Sequence, residues 1–204
     1  MSIIMKSFMM NALLTLPLLA VALPTPSIAG PGEITAEDII KVAPATASCA
    51  GRGPQCVTAY QAAPAIANSF EKYGIVSFGS QAAVVSTILY ESSNFEYDSP
   101  IDPVAGKGTR NMQSAEFNEK YASALGLAST GDTVALLNQD LDTSFGSAAW
   151  YLSSQRGPCP MSMRDEMHAL NSAGYESYVI NCLATGELAD REQIWNSLLA
   201  LKQW

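Results

Sequence analysis

Residues 81–90 read Gln-Ala-Ala-Val-Val-Ser-Thr-Ile-Leu-Tyr, with Glu91 and Ser92 directly behind them. The apolar side chains fall on every face of a 3.6-residue helix, which is the pattern of a helix buried all round. Ser80 is a suitable N-cap, so a central buried helix is expected from there to about Ser92. Upstream, apolar residues recur at helical spacing from Val57 to Tyr73. Pro64 is expected to kink or restart that helix, and Gly74 to end it. Thr35, with Glu37, Asp38, Ile39 and Ile40 after it, marks a short capped helix.

Downstream, residues 93–114 differ in kind. Pro100, Pro103, Gly106, Gly108 and several charges there predict an irregular polar loop or a small sheet. Helical patterns return over 115–125, 132–139, 143–154, 161–171, 174–185 and 190–202, punctuated by glycines. No internal repeat or long linker divides the chain. The expected fold is mainly α, a single compact helical domain interrupted by one polar loop or small sheet.

The N-terminus reads as a targeting segment. Lys6 precedes a mostly apolar run from Met9 to Leu23, which is the layout of a secretory signal peptide. The run is too short to span a bilayer, which takes about 20 residues. Ser27-Ile28-Ala29 is the preferred cleavage site, with Ala20-Val21-Ala22 as the alternative. The expected division is therefore a signal peptide at 1–29 and one domain over 30–204, secreted, extracellular and monomeric. Without the leader, ten Lys and Arg face nineteen Asp and Glu. That excess of acid argues against nucleic acid, whose phosphates require clustered cations.

Four cysteines in a secreted chain read as disulfides with three possible connectivities. Pairing Cys49 with Cys56 and Cys159 with Cys182 is preferred, because each pair brackets a turn or a short helical hairpin. A zinc site is not expected: His168 is the one histidine, and Cys-x-x-Cys is absent. No metal and no cofactor are expected. A Ser-His-Asp triad would have to use His168, and no Gly-x-Ser-x-Gly elbow accompanies it.

Glu91 is the residue with chemical potential. A carboxyl at the end of an apolar helix is partly desolvated, which favours its protonated form and suits a general acid. The plainer reading has it decorating a helix end, paired with Arg110. Glu91-Ser92-Ser93-Asn94-Phe95, followed by Gly106-Lys-Gly-Thr-Arg-Asn-Met-Gln113, resembles the lysozyme-like superfamily. The likeness is to its goose-type and lytic-transglycosylase branches, and more closely, over 81–121, to secreted fungal lysozyme-like proteins. The resemblance implies an α+β lysozyme-like fold in which Glu91 is the general acid and Gln113 contacts substrate. Arg110 and Asn111 stand where an apolar turn is common in that family, and are carried as substrate-binding candidates together with Tyr97 and Tyr178. A second carboxylate, if the reaction uses one, is sought in Asp98, then Asp102 and Glu96. Tyr90, Phe95, Tyr97 and Trp150 are candidate stacking platforms. The implied activity is cleavage of β-1,4-linked N-acetylhexosamine polymers, peptidoglycan or chitin. The alternative is a non-catalytic glycan- or partner-binding module.

Overall fold

Helix α3, Phe78–Glu91, is the axis of the molecule. Every residue from Phe78 to Leu89 is buried except Gln81, as the all-round apolar pattern requires. The helix starts three residues earlier than its apolar run suggests. Ser77, not Ser80, is the N-cap, and its hydroxyl accepts from the Ser80 amide. Gly79 sits inside that first turn because the later helix Met161–His168 passes so close: a Cβ there would meet the Met167 carbonyl oxygen at 1.9 Å.

The computed structural model describes residues 33–127 and 131–202. The signal-peptide segment, residues 1–29, lies outside the described residues. In chain order come α1 (Ala36–Val42), a 3-10 turn (Pro44–Ala47), α2 (Ala59–Tyr73), α3, α4 (Ala115–Ala124) and α5 (Thr133–Leu137). They are followed by α6 (Leu141–Ser154), α7 (Met161–His168), α8 (Ser172–Ser177), a π-helical turn (Tyr178–Cys182) and α9 (Leu188–Ala200). α3 is flanked by α6, α7 and α9, and α2 lies along the far side of α6. Among the described residues no helix is long and apolar enough to cross a membrane.

Local signals account for most of these ends. Thr35 and Asp38 form a reciprocal capping box on α1, and Thr58 and Gln61 do the same for α2. Pro64 does not restart α2, which continues through it to Tyr73. Gly74 ends that helix in the left-handed region at φ 66°, donating back to the Phe70 and Glu71 carbonyls. Cys49 is joined to Cys56, and Cys159 to Cys182.

Residues 93–114 form no small sheet. The described residues contain no strand, only an isolated antiparallel bridge between Gly108 and Gln113. The α+β expectation is corrected on this point. Prolines and left-handed residues leave no run long enough to pair, since Ser93, Asn94, Phe95, Thr109 and Met112 all have positive φ.

Candidate functional site

The last turn of α3 lines a cleft of about 330 Å³. Thr87 and Glu91 of α3 line one side, and Asn111, Met112 and Gln113 of the polar loop face them. Phe117 of α4 and Tyr151 of α6 give the lining its aromatic part, with ring centroids 4.8 Å apart, edge to face. Arg191 of α9 and Glu187, its N-cap residue, complete the rim.

Glu91 is held by Arg191. The guanidinium Nη2 lies 2.5 Å from Glu91 Oε1 and 3.8 Å from Glu187 Oε2. The Arg191 side chain is 1% exposed, against 26% for Glu91 and 65% for Glu187. Its guanidinium also covers the Tyr90 ring at 4.1 Å, a cation–π contact. Among the described residues its Nε and Nη1 find no hydrogen-bond acceptor, although both are buried. The carboxylate is thus occupied as an ion-pair acceptor, and Arg110 is not its partner.

The opposite wall is a run of amides braced from behind. Gln113 Nε2 donates to Asn118 Oδ1 at 2.7 Å, and Asn111 Nδ2 donates to Gln113 Oε1 at 3.4 Å. Asn111 Oδ1 in turn accepts from Thr109 Oγ1 at 2.8 Å and from Ser147 Oγ at 2.7 Å. Gly108 allows this loop to sit down on α5, where a Cβ would strike Val134 Cγ1 at 2.4 Å. Asn111 and Gln113 both line the cleft while being only 8% and 6% exposed, so these bonds fix their positions there.

A layer of tyrosines supports the α3 wall. Thr87 Oγ1 lies 2.9 Å from the Tyr178 hydroxyl, and Ser86 Oγ lies 2.8 Å from that of Tyr175. Tyr175 stacks on Trp195 at 4.7 Å. Burial pushes the Tyr178 phenol up to about 12, with the Thr87 hydrogen bond opposing it.

Of the residues read from the sequence, Glu91, Gln113 and Asn111 are brought together. The others are not. Tyr178 lies behind Thr87, 1% exposed. Arg110 points away from the cleft: Nη1 donates to the Phe95 carbonyl at 3.0 Å and Nη2 to that of Gln55 at 2.7 Å. Asp98 sits 3.7 Å from the same guanidinium, outside the cleft, and Glu96 pairs with Arg52. Tyr97 and Asp102 do not line it either. Phe95 is wholly buried and Trp150 nearly so, both as core. His168 lies in a separate depression with Phe78, Ala169 and Leu170. The acid that does share the cleft with Glu91 is Glu187, about 96 residues away in sequence. Arg191 and Glu187 carry one signal, an i,i+4 acid–base pair starting a helix, and that signal does not distinguish a site from a solvated face.

No family model matches the chain, and no solved structure matches it. Among curated proteins it is similar to a bifunctional dioxygenase (DOX)-epoxy alcohol synthase (EAS) of Fusarium oxysporum (strain Fo5176), 30% identical over 141 residues. The match covers 61% of this chain and 11% of that protein. The lysozyme-like resemblance is corrected by this result. The match is to an enzyme named for oxygenation and epoxy alcohol synthesis, and nothing matched is lysozyme-like. The glycosidase activity, the peptidoglycan or chitin substrate and the glycan-binding alternative fall with that resemblance. The physical reason it misled lies in Glu91. A Glu-Ser at the end of a buried helix fits a free acid in a groove, whereas here a buried guanidinium from α9 meets the carboxylate.

Proposed function

We propose that the cleft binds a small, largely uncharged molecule carrying hydroxyl or epoxide oxygens, and that Glu91 transfers a proton at one of those oxygens. One observation carries the reading: a carboxylate–guanidinium pair, a braced amide wall and two aromatic rings converge on one opening. Arg191 and Glu91 nearly cancel in charge, so the site does not select a strongly charged ligand. Gln113 and Asn111 supply directional hydrogen bonds, and Phe117 and Tyr151 supply apolar contact. Two buried guanidinium nitrogens without acceptors cost on the order of 1–3 kcal/mol each. A polar ligand oxygen beside Arg191 would offset part of that cost. The class of molecule is supported by the name of the Fusarium relative, in which an epoxy alcohol is the product. Secretion, read from residues 1–29, belongs to the same proposal.

In this reading Arg191 fixes the orientation of the Glu91 carboxylate. Glu91 takes a proton from a ligand hydroxyl, or returns one to an oxygen that is gaining charge. Gln113 holds the ligand across the cleft. The test is an amide-resolved NMR titration of the full chain with alkyl compounds of one length, either unmodified, hydroxylated or epoxidised. Shifts should cluster at Thr87, Glu91, Asn111, Gln113 and Arg191 for the oxygenated compounds alone. Any turnover followed by mass spectrometry should drop about 10²–10⁴-fold in Glu91→Gln. Absence of binding across the panel, or shifts remote from the cleft, would overturn the proposal.

A further inference from the structure

The residues immediately after Glu91 take an uncommon path. Ser93, Asn94 and Phe95 follow one another in the left-handed region, at φ 50°, 59° and 65°. Residues other than glycine rarely adopt it, and three in succession persist only where surrounding contacts hold them. Here the contacts come from Arg52, in the loop closed by Cys49 and Cys56. Its Nη2 donates to the Ser93 carbonyl at 2.9 Å and the Asn94 carbonyl at 3.0 Å. Nη1 donates to Ala45 O at 2.8 Å, and Nε to Glu96 Oε2 at 3.2 Å. The Phe95 carbonyl accepts from Arg110 Nη1 and from the Val57 amide. The turn therefore ties the α3 end that carries Glu91 to the loop that carries Asn111 and Gln113.

The two disulfides differ in access. Cys159 and Cys182 are each 1% exposed, whereas Cys49 and Cys56 are half-buried at the surface. We propose that Cys49–Cys56 is a redox latch on the cleft: its reduction frees Arg52, relaxes the left-handed turn at 93–95 and weakens ligand binding between its two walls. The regulatory consequence rests on the function proposed above, whereas the structural coupling does not. The reductant is a dithiol. Thiol–disulfide exchange transfers two electrons and two protons, leaving Cys49 and Cys56 as thiols and the reductant as a disulfide.

The experiment treats the full chain with graded dithiothreitol, alkylates the free thiols and maps them by mass spectrometry. Hydrogen exchange is then read without ligand. Asn94, Glu96 and Tyr97 donate their amides to the Leu89 and Ser92 carbonyls, so their protection reports on the turn. Cys49 and Cys56 should be alkylated first. In that species protection at residues 94–97 should fall at least tenfold, while α2 and α6 amides stay unchanged. Arg52→Gln, with both disulfides intact, should loosen the same amides and decides the matter if reduction unfolds the chain. Unchanged protection in Arg52→Gln, or in the verified singly reduced protein, overturns the latch. So does reduction of Cys159–Cys182 first or simultaneously. Loosening without any ligand bound by the wild type sinks the proposed function alone.

Discussion

Arg110 and Arg191 are both buried guanidiniums, 2% and 1% exposed, yet they serve different purposes. Arg110 donates to two backbone carbonyls, lies over the Phe145 ring at 5.2 Å and has Asp98 beside it. Burial lowers it to about 10, with Asp98 opposing the shift, so it remains a cation at neutral pH. The contacts with Phe95 and Asp98 brace the polar loop internally, and those with Gln55 and Phe145 fasten it to the rest of the fold. Among the described residues Arg191 donates to no backbone carbonyl, and it sets its charge against two carboxylates on an open cleft. Sequence position favoured Arg110, which stands within three residues of Gln113. Proximity in the chain does not reveal on which side of a loop a side chain emerges. Both leave a buried Nε without an acceptor among the described residues, so the difference lies in placement. Arg110 is bonded through both terminal nitrogens to backbone away from the cleft, whereas Arg191 lines the cleft and also leaves Nη1 unmet.

The largest effect should come from Arg110→Met. It leaves the Gln55 carbonyl without its donor, the Phe95 carbonyl with the Val57 amide alone and Asp98 without its cation, so urea unfolding should show a loss of about 3–5 kcal/mol. A loss under about 1 kcal/mol would break the contrast.

Glu91→Gln should come next. An amide leaves the buried Arg191 charge with only Glu187 near it, at 3.8 Å. A loss of about 2–3 kcal/mol is expected, held below the figure for a fully buried pair by the 26% exposure of Glu91. Arg191→Met on top of it removes the orphaned charge, so the double variant should be no less stable than Glu91→Gln alone. Additive losses would show that Arg191 contributes chiefly through contacts other than this pair.

The layer behind the cleft can be read at alkaline pH. Tyr178 titrates near its ordinary value of 10 when unfolded and near 12 when folded. Its contribution is fully present below pH 10 and is lost as pH rises from 10 to 12, because the unfolded chain then gives up the proton first. Stability should fall there by roughly 1.4 kcal/mol per pH unit for this tyrosine. Tyr175 and Tyr121, both raised by burial, add to the slope. Tyr178→Phe should flatten it by one residue's share. An unchanged slope would mean that Thr87 and Tyr178 are not sealed from water.

The smallest effect belongs to Glu187→Gln. Its side chain is 65% exposed and 3.8 Å from Arg191, so thermal or urea unfolding should change by no more than about 0.5 kcal/mol. A loss above about 1 kcal/mol would make Glu187 a full partner of Arg191 rather than a rim charge.

Much of this architecture was legible because it rests on short-range physics. The all-round apolar run made α3 a core helix, apolar spacing from Val57 to Tyr73 with Gly74 behind it marked α2, and cysteine spacing suggested both pairs. Glu91, Asn111 and Gln113 lie on the two segments that wall the cleft, so reading those segments together found them. Only the tertiary structure could decide the charge that faces Glu91. The carboxylate could have met any cation in the chain, and the choice of Arg191 was made by α9 docking against α3, one hundred residues away in sequence. The same holds for Arg52, whose carbonyl partners at 93 and 94 lie more than forty residues off. Periodicity and capping are encoded within one or two turns of chain. Pairing of buried charges depends on which helix faces end in contact, and that is settled by burial of apolar surface summed over the whole fold.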